Sequence, residues 1–108
     1  MEYIYLIKLE KENLYKIGYS KNPTQRLKGL QTANGGRLEL IKSIEVNFGY
    51  KVETFLHKYY FSKRKLGEWF ELNEEDLLKF EEICKKQSSV LDFLSNNNTY
   101  INDREGRF

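Results

Sequence analysis

The sequence predicts an α+β domain in which a small, three-stranded, mostly antiparallel sheet is flanked by helices, in the order β-β-α-β-α-α. Three observations carry this expectation. An apolar, β-favouring run stands near the start, a second follows after a hairpin's length, and a segment with clear helical periodicity lies downstream. Tyr3-Ile4-Tyr5-Leu6-Ile7 is nearly continuous in aromatic and aliphatic residues, the pattern of a strand covered on both faces. Leu14 to Tyr19 is the second strand, and the polar Glu10-Lys11-Glu12-Asn13 between the two makes a hairpin.

A helix is expected next. Asn22 can cap it, Pro23 suits its first position, and Gln25 stands three residues after the cap, where it can return the hydrogen bond. Leu27 and Leu30 would face the core. Asn34-Gly35-Gly36 ends this helix, and Arg37 to Val46 resumes as a strand with Leu38, Leu40, Ile44 and Val46 on one side. Val52, Phe55, Leu56, Tyr59 and Tyr60 then recur at i, i+3, i+4, i+7 and i+8, an amphipathic helix that packs on the sheet, with Phe55, Tyr59 and Tyr60 in the core. Gly67-Glu68-Trp69-Phe70 is a short extended or turn segment, with Trp69 and Phe70 closing the core. Asn73 with Glu74, Glu75 and Asp76 starts a last helix that ends near Lys85-Lys86, and Cys84 is a small core residue in it.

Residues 1–87 are expected to form one domain. Residues 88–108 form a C-terminal extension, partly helical through Val90-Leu91 and Phe93-Leu94, then a flexible tail beyond Asn96-Asn97-Asn98. The 108 residues fall within the size of a single domain, and an aromatic share of 15% supplies bulk that a disordered chain lacks. A single cysteine excludes an internal disulfide framework. No stretch approaches the roughly 20 apolar residues of a membrane span, and the run Tyr3 to Ile7 is too short for a signal peptide, so an intracellular protein without a membrane partner is expected.

The net charge of +2 conceals two halves of opposite sign. Residues 1–66 hold thirteen Lys/Arg against six Asp/Glu, and residues 67–108 hold five against ten. A basic first part suits a polyanionic partner, although mixed solvated charges account for the same imbalance.

Particular residues sharpen this. Tyr3-Ile4-Tyr5 on the first strand is followed, after ten intervening residues, by Lys16-Ile17-Gly18 on the second. Arg26 lies eight positions beyond Gly18, on the first helix, and Glu53 lies on the next long helix. This ordered set resembles the GIY-YIG nuclease domain, with Tyr3 where the family has its first Gly and Lys16 where it has its second Tyr. The wording Lys16-Ile17-Gly18-Tyr19-Ser20, Asn22-Pro23, Arg26-Leu27, Glu53 with His57, and Gly67-Glu68-Trp69-Phe70 looks most like the subfamily named after a phage T5 reading frame, over about residues 3–86. A phage, viral or mobile-element setting goes with it. The asparagine that closes many active sites of the family has no clear counterpart here.

The resemblance implies a metal-dependent endonuclease that hydrolyses DNA by water attack. Tyr5 would be the base, Arg26 the phosphate clamp and Glu53 the ligand of Mg²⁺ or Mn²⁺. A phenol with a pKa of about 10 needs help to act as a base at neutral pH. Lys16 on the neighbouring strand can give it, since an ammonium about 4 Å away is worth up to about 4 kcal/mol at an effective dielectric near 20. Arg26 suits bidentate contact with phosphate, and a carboxylate suits a hard cation that keeps most of its waters. His57, one turn after Glu53, can bind metal, contact phosphate or shuttle a proton, or can simply pack.

Lys21, Lys28, Lys63, Arg64 and Lys65 are candidates for contact with the DNA backbone, the last three equally as a solvated helix end. A DNA-binding module of the same fold without cleavage is the alternative. The sequence leaves open whether the substrate is single- or double-stranded DNA or RNA. Sequence specificity is either low, supplied by a partner, or created by a homodimer.

Overall fold

The computed structural model describes residues 1–97. β1 (Glu2–Leu9) and β2 (Leu14–Ser20) form the expected hairpin, turning through Lys11 at φ 71°, with Glu12 N–H donating to Leu9 O at 3.1 Å. α1 (Pro23–Thr32) begins where Asn22 Oδ1 accepts from Gln25 N–H at 3.1 Å. The amide of Asn22 itself is satisfied by Ser20 Oγ at 2.9 Å, so the cap is anchored from β2. β3 (Leu38–Val46), α2 (Gly49–Tyr59), a 3₁₀ turn over Phe61–Lys63, β4 (Arg64–Leu66), β5 (Trp69–Glu71) and α3 (Glu74–Asn97) complete the order.

The sheet has five strands, not three. Its order is β3-β1-β2-β5-β4 and every neighbouring pair is antiparallel. The two additional strands are the arms of a small hairpin turned by Gly67 at φ +54°, a left-handed conformation that glycine adopts without a Cβ clash. β5 pairs with the Leu14–Lys16 end of β2, which carries Phe70 into the core with no exposed area.

The two faces of the sheet bury different things. Ile4, Leu6, Tyr15, Ile17, Ile44 and Val46 face α2 and α3, where Val52, Leu56, Phe70, Phe80, Cys84 and Leu91 complete the main core. Tyr5, Ile7 and Leu38 face α1, with Leu9, Leu27, Leu30, Leu40 and Trp69 partly buried around them. β3 contributes to both. Its pairing with β1 slips between Leu6 and Ile7, so that Leu6 stands opposite Lys42 and Ile7 opposite Leu40. One extra residue in a strand inverts the side-chain alternation. Leu38 and Leu40 therefore face α1 while Ile44 and Val46 face the other way, correcting the expectation that all four share one side.

α2 lacks a capping side chain of its own, because Phe48 occupies that position with φ 58°. Glu2 on β1 supplies the acceptor instead, taking Gly49 N–H on Oε1 at 2.7 Å. Phe55 is partly buried and Tyr60 fully, but Tyr59 is 55% exposed at the end of the helix, so only two of the three expected aromatics reach the core. α3 runs on past Lys86 to Asn97. Leu77, Phe80, Cys84 and Leu91 continue one stripe, and Asn47 N–H donates to Ser88 Oγ at 2.9 Å while Asn47 Nδ2 reaches Asp92 at 3.3 Å. The boundary after residue 87 thus falls inside a helix, and the expected tail after residue 97 lies outside the described residues.

Candidate active site

β5 covers only part of the outer edge of β2. The last backbone bond along that edge runs from Ile17 N–H to Glu68 O at 3.2 Å, and beyond it Ile17 C=O and Tyr19 N–H would be left without sheet partners. α2 satisfies both with side chains. Glu53 Oε2 accepts from Tyr19 N–H at 3.1 Å, and His57 Nε2 lies 2.8 Å from Ile17 O. A carbonyl only accepts, so Nε2 carries the hydrogen and donates it. His57 also packs on Phe70, 5.2 Å between ring centres. The structure thus assigns His57 to the sheet edge, and the Glu53 carboxylate comes to the rim beside it.

On the opposite face Tyr5 pairs in register with Gly18. A Cβ at position 18 would lie 2.3 Å from Tyr5 Oη and 2.4 Å from Cζ, so the phenol can cross β2 only over a glycine. Arg26 reaches the same hydroxyl from α1 and hydrogen-bonds it. Burial raises the Tyr5 pKa above the ordinary phenol value; the Arg26 hydrogen bond and charge oppose this without cancelling it, and Glu68 and Glu53 add to the rise. Burial, then the nearby charge of Glu68, pushes the Glu53 carboxyl up as well, against the pull of His57, Tyr19 N–H and Lys16. Tyr5 and Arg26 therefore meet over Gly18, and Glu53, bonded to the next residue, Tyr19, from the other face of the sheet, is near enough for its charge to act on both.

Lys16 is placed differently from the sequence expectation. The register sets it opposite Ile7, two residues from the Tyr5 pair, and its ammonium bonds Glu68 Oε1 at 3.0 Å while lying 5.7 Å from the centre of the Trp69 ring. The cation on Tyr5 is Arg26. Glu68 is the site residue that sequence reasoning missed. It stands in the turn of a hairpin with three-residue arms that no periodic pattern announces, and only the pairing of that hairpin with β2 brings it to the site.

The five backbone-contact candidates separate into two groups. Lys63 pairs with Asp76, Lys65 with Glu71 at 3.1 Å, and Arg64 Nε donates to Gly67 O at 2.8 Å, so this triplet braces the hairpin and the start of α3. Burial works against ionisation of Asp76, yet the Lys63 and Asn73 bonds hold its pKa below the usual carboxylate range. Lys21 and Lys28 are exposed on and beside α1, and neither forms an ion pair among the described residues.

A tyrosine lying over a glycine of the adjacent strand, a helix arginine on its hydroxyl and a glutamate at the sheet rim are thus the features of this α+β domain's candidate site. The chain belongs to the T5orf172 domain family, whose model matches residues 2–85. That membership points to a nuclease-like or DNA-binding module and suggests DNA as its partner. No curated protein and no solved structure matches the chain. No described helix is long and apolar enough to cross a membrane.

Proposed function

We propose that the protein is a metal-dependent endonuclease that hydrolyses DNA phosphodiester bonds by attack of water. The convergence of Tyr5, Arg26 and Glu53 beside Gly18 carries this reading. Arg26 binds the scissile phosphate through parallel N–H donors and stabilises the charge that develops on it. Tyr5 orients the attacking water and takes its proton, with the Arg26 guanidinium stabilising the phenolate. Lys16 offsets the charge of Glu68 beside this pair, and His57 holds α2 in position.

Glu53 fits a hard divalent cation. Tyr19 N–H holds one of its oxygens in place, and a second carboxylate, Glu68, raises the negative potential around it. Among the described residues no three potential metal-binding side chains gather. Such a donor set suits Mg²⁺ or Mn²⁺ bound through one carboxylate, the phosphate and water. When bound there, the ion would supply Lewis-acid stabilisation to the phosphoryl and leaving 3′ oxygens.

The test is incubation of plasmid DNA with Mg²⁺ or Mn²⁺, wild type against Glu53→Ala. Metal-dependent nicking by the wild type alone is expected, and equal cutting by both, or none by either, defeats the proposal. A DNA-binding module without cleavage is the second reading, favoured by one observation: burial leaves the Tyr5 phenol harder to ionise than a free one. DNA binding without turnover from pH 6 to 10 would establish it.

A further inference from the structure

Gly29 stands in the interior of α1, where glycine is among the least favourable residues. Nothing in the fold calls for it. A Cβ at this position would meet no atom within 4 Å, and its φ lies outside the left-handed region. Neither packing nor backbone conformation explains the missing side chain. The remaining physical use of an exposed helix glycine is to let something outside the chain come close to the helix backbone.

The surroundings identify what that would be. By helical geometry Gln25, Gly29 and Thr32 run up the outer face of α1, with Arg26 on one side of the stripe and Lys28 on the other. A shallow cleft of about 400 Å³, lined by Lys21, Gln25, Arg26 and Gly29 among others, opens along this stripe and has Arg26 in common with the candidate active site. Between Glu12 and Glu39 the chain carries five Lys/Arg and no Asp/Glu; Lys16 and Arg37 pair with Glu68 and Glu10, which leaves Lys21, Arg26 and Lys28 as the positive charge of α1 and its start. Neither Lys21 nor Lys28 is spent on an ion pair among the described residues.

We infer that the nucleic-acid backbone leaves the active site along the outer face of α1, packing against Gly29 with its phosphates held between Arg26, Lys21 and Lys28. The inference rests on the reading of the site as one that receives a phosphodiester, and it adds the path of the strand and the residue that admits it. A side chain at position 29 would stand where the sugar-phosphate chain passes, and each lysine would neutralise one phosphate.

The test is fluorescence anisotropy of the full chain with short labelled DNA, single-stranded and duplex, without divalent metal and over a salt series. Gly29→Leu should fold, because the space is open, and should melt a few degrees higher than the wild type through helix propensity. It should nevertheless bind DNA about tenfold more weakly, with Gly29→Ala intermediate. Lys21→Gln and Lys28→Gln should each lower the slope of log K against log salt by about 1. Lys79→Gln, which removes the same charge from α3, should leave that slope as it is. Wild-type affinity in Gly29→Leu, or salt slopes for the α1 variants equal to that of Lys79→Gln, would overturn the strand path while leaving the endonuclease reading intact. No DNA binding by the wild type at any salt concentration would overturn both.

Discussion

The Tyr5 ring lies across Gly18 so closely that a methyl group on residue 18 would stand 2.3 Å from the phenolic oxygen. This contact sets the height of the hydroxyl above the sheet, and with it the point that Arg26 meets. Gly18→Ala should therefore displace the ring. Overpacking of this kind costs about 1–3 kcal/mol of stability, and activity should fall further because the Tyr5–Arg26 pair is separated. Relief by Tyr5→Phe is not expected, since Cζ itself would remain 2.4 Å from the new carbon. Urea titration of the single and double variants checks this, and a double variant as stable as Tyr5→Phe alone would contradict it.

The pairing of Arg26 rather than Lys16 with Tyr5 assigns the two cations different pH signatures. Arg26 pulls the phenol pKa down against burial, so Arg26→Met should raise it further. If Tyr5 must lose its proton, the rising limb of the pH–rate profile moves to higher pH, on top of a loss of about 10²–10³ from the missing phosphate contact. Lys16 bonds Glu68 instead, so Lys16→Met should lower the rate by a nearly constant factor from pH 6 to 10. Cleavage rates across that range distinguish the two, and a limb displaced by Lys16→Met but not by Arg26→Met would reverse the assignment.

The contrast between these two residues shows which parts of the structure were legible in the sequence. The β1–β2 hairpin, the Asn22 cap and the inward Leu27, Leu30, Val52 and Leu56 follow from local chemistry: turn residues, a cap and a period of 3.6. Tyr5 and Arg26 come together, with Glu53 bonded to the next residue after Gly18, and each of the three sits on an element with a strong local signal. Lys16 is on a correctly read strand, but its partner depends on a two-residue register difference and on Glu68, which arrives through the β4–β5 hairpin. That hairpin consists of three-residue arms held by the edge of β2 and turned by Gly67, too short for any period to register. The slip in β3 is likewise set by its pairing with β1. The extra length of α3 was readable, since Leu91 continues the Leu77, Phe80 and Cys84 stripe across Ser88-Ser89, where weak helix propensity suggests a stop.

Tyr60 carries the remaining prediction. Its ring packs against Phe80 at 6.1 Å between centres, but its hydroxyl is buried and finds no hydrogen-bond partner among the described residues. Burying a polar group without a partner costs about 1–3 kcal/mol, whereas removing it leaves the apolar packing in place. Tyr60→Phe should therefore stabilise the fold by about 1 kcal/mol at neutral pH. Burial, followed by the charge of Asp76, pushes the Tyr60 pKa far above 10.0, so the folded protein holds this proton more tightly than the unfolded chain does. Tyr5 is raised from 10.0, and Cys84 from 9.0 to about 12, both chiefly by burial. For each of these groups the native state is favoured fully below the unfolded pKa, and the contribution is lost as pH climbs through the folded one. Stability should hold up to about pH 9 and then decline steeply, and the decline should be shallower in Tyr60→Phe because one of the three titrating groups is gone. Urea denaturation at pH 7, 9, 10 and 11 measures both effects. A Tyr60→Phe protein less stable than the wild type at pH 7 would mean that the hydroxyl is bonded after all, and parallel pH curves would mean that its proton is not held more tightly in the fold.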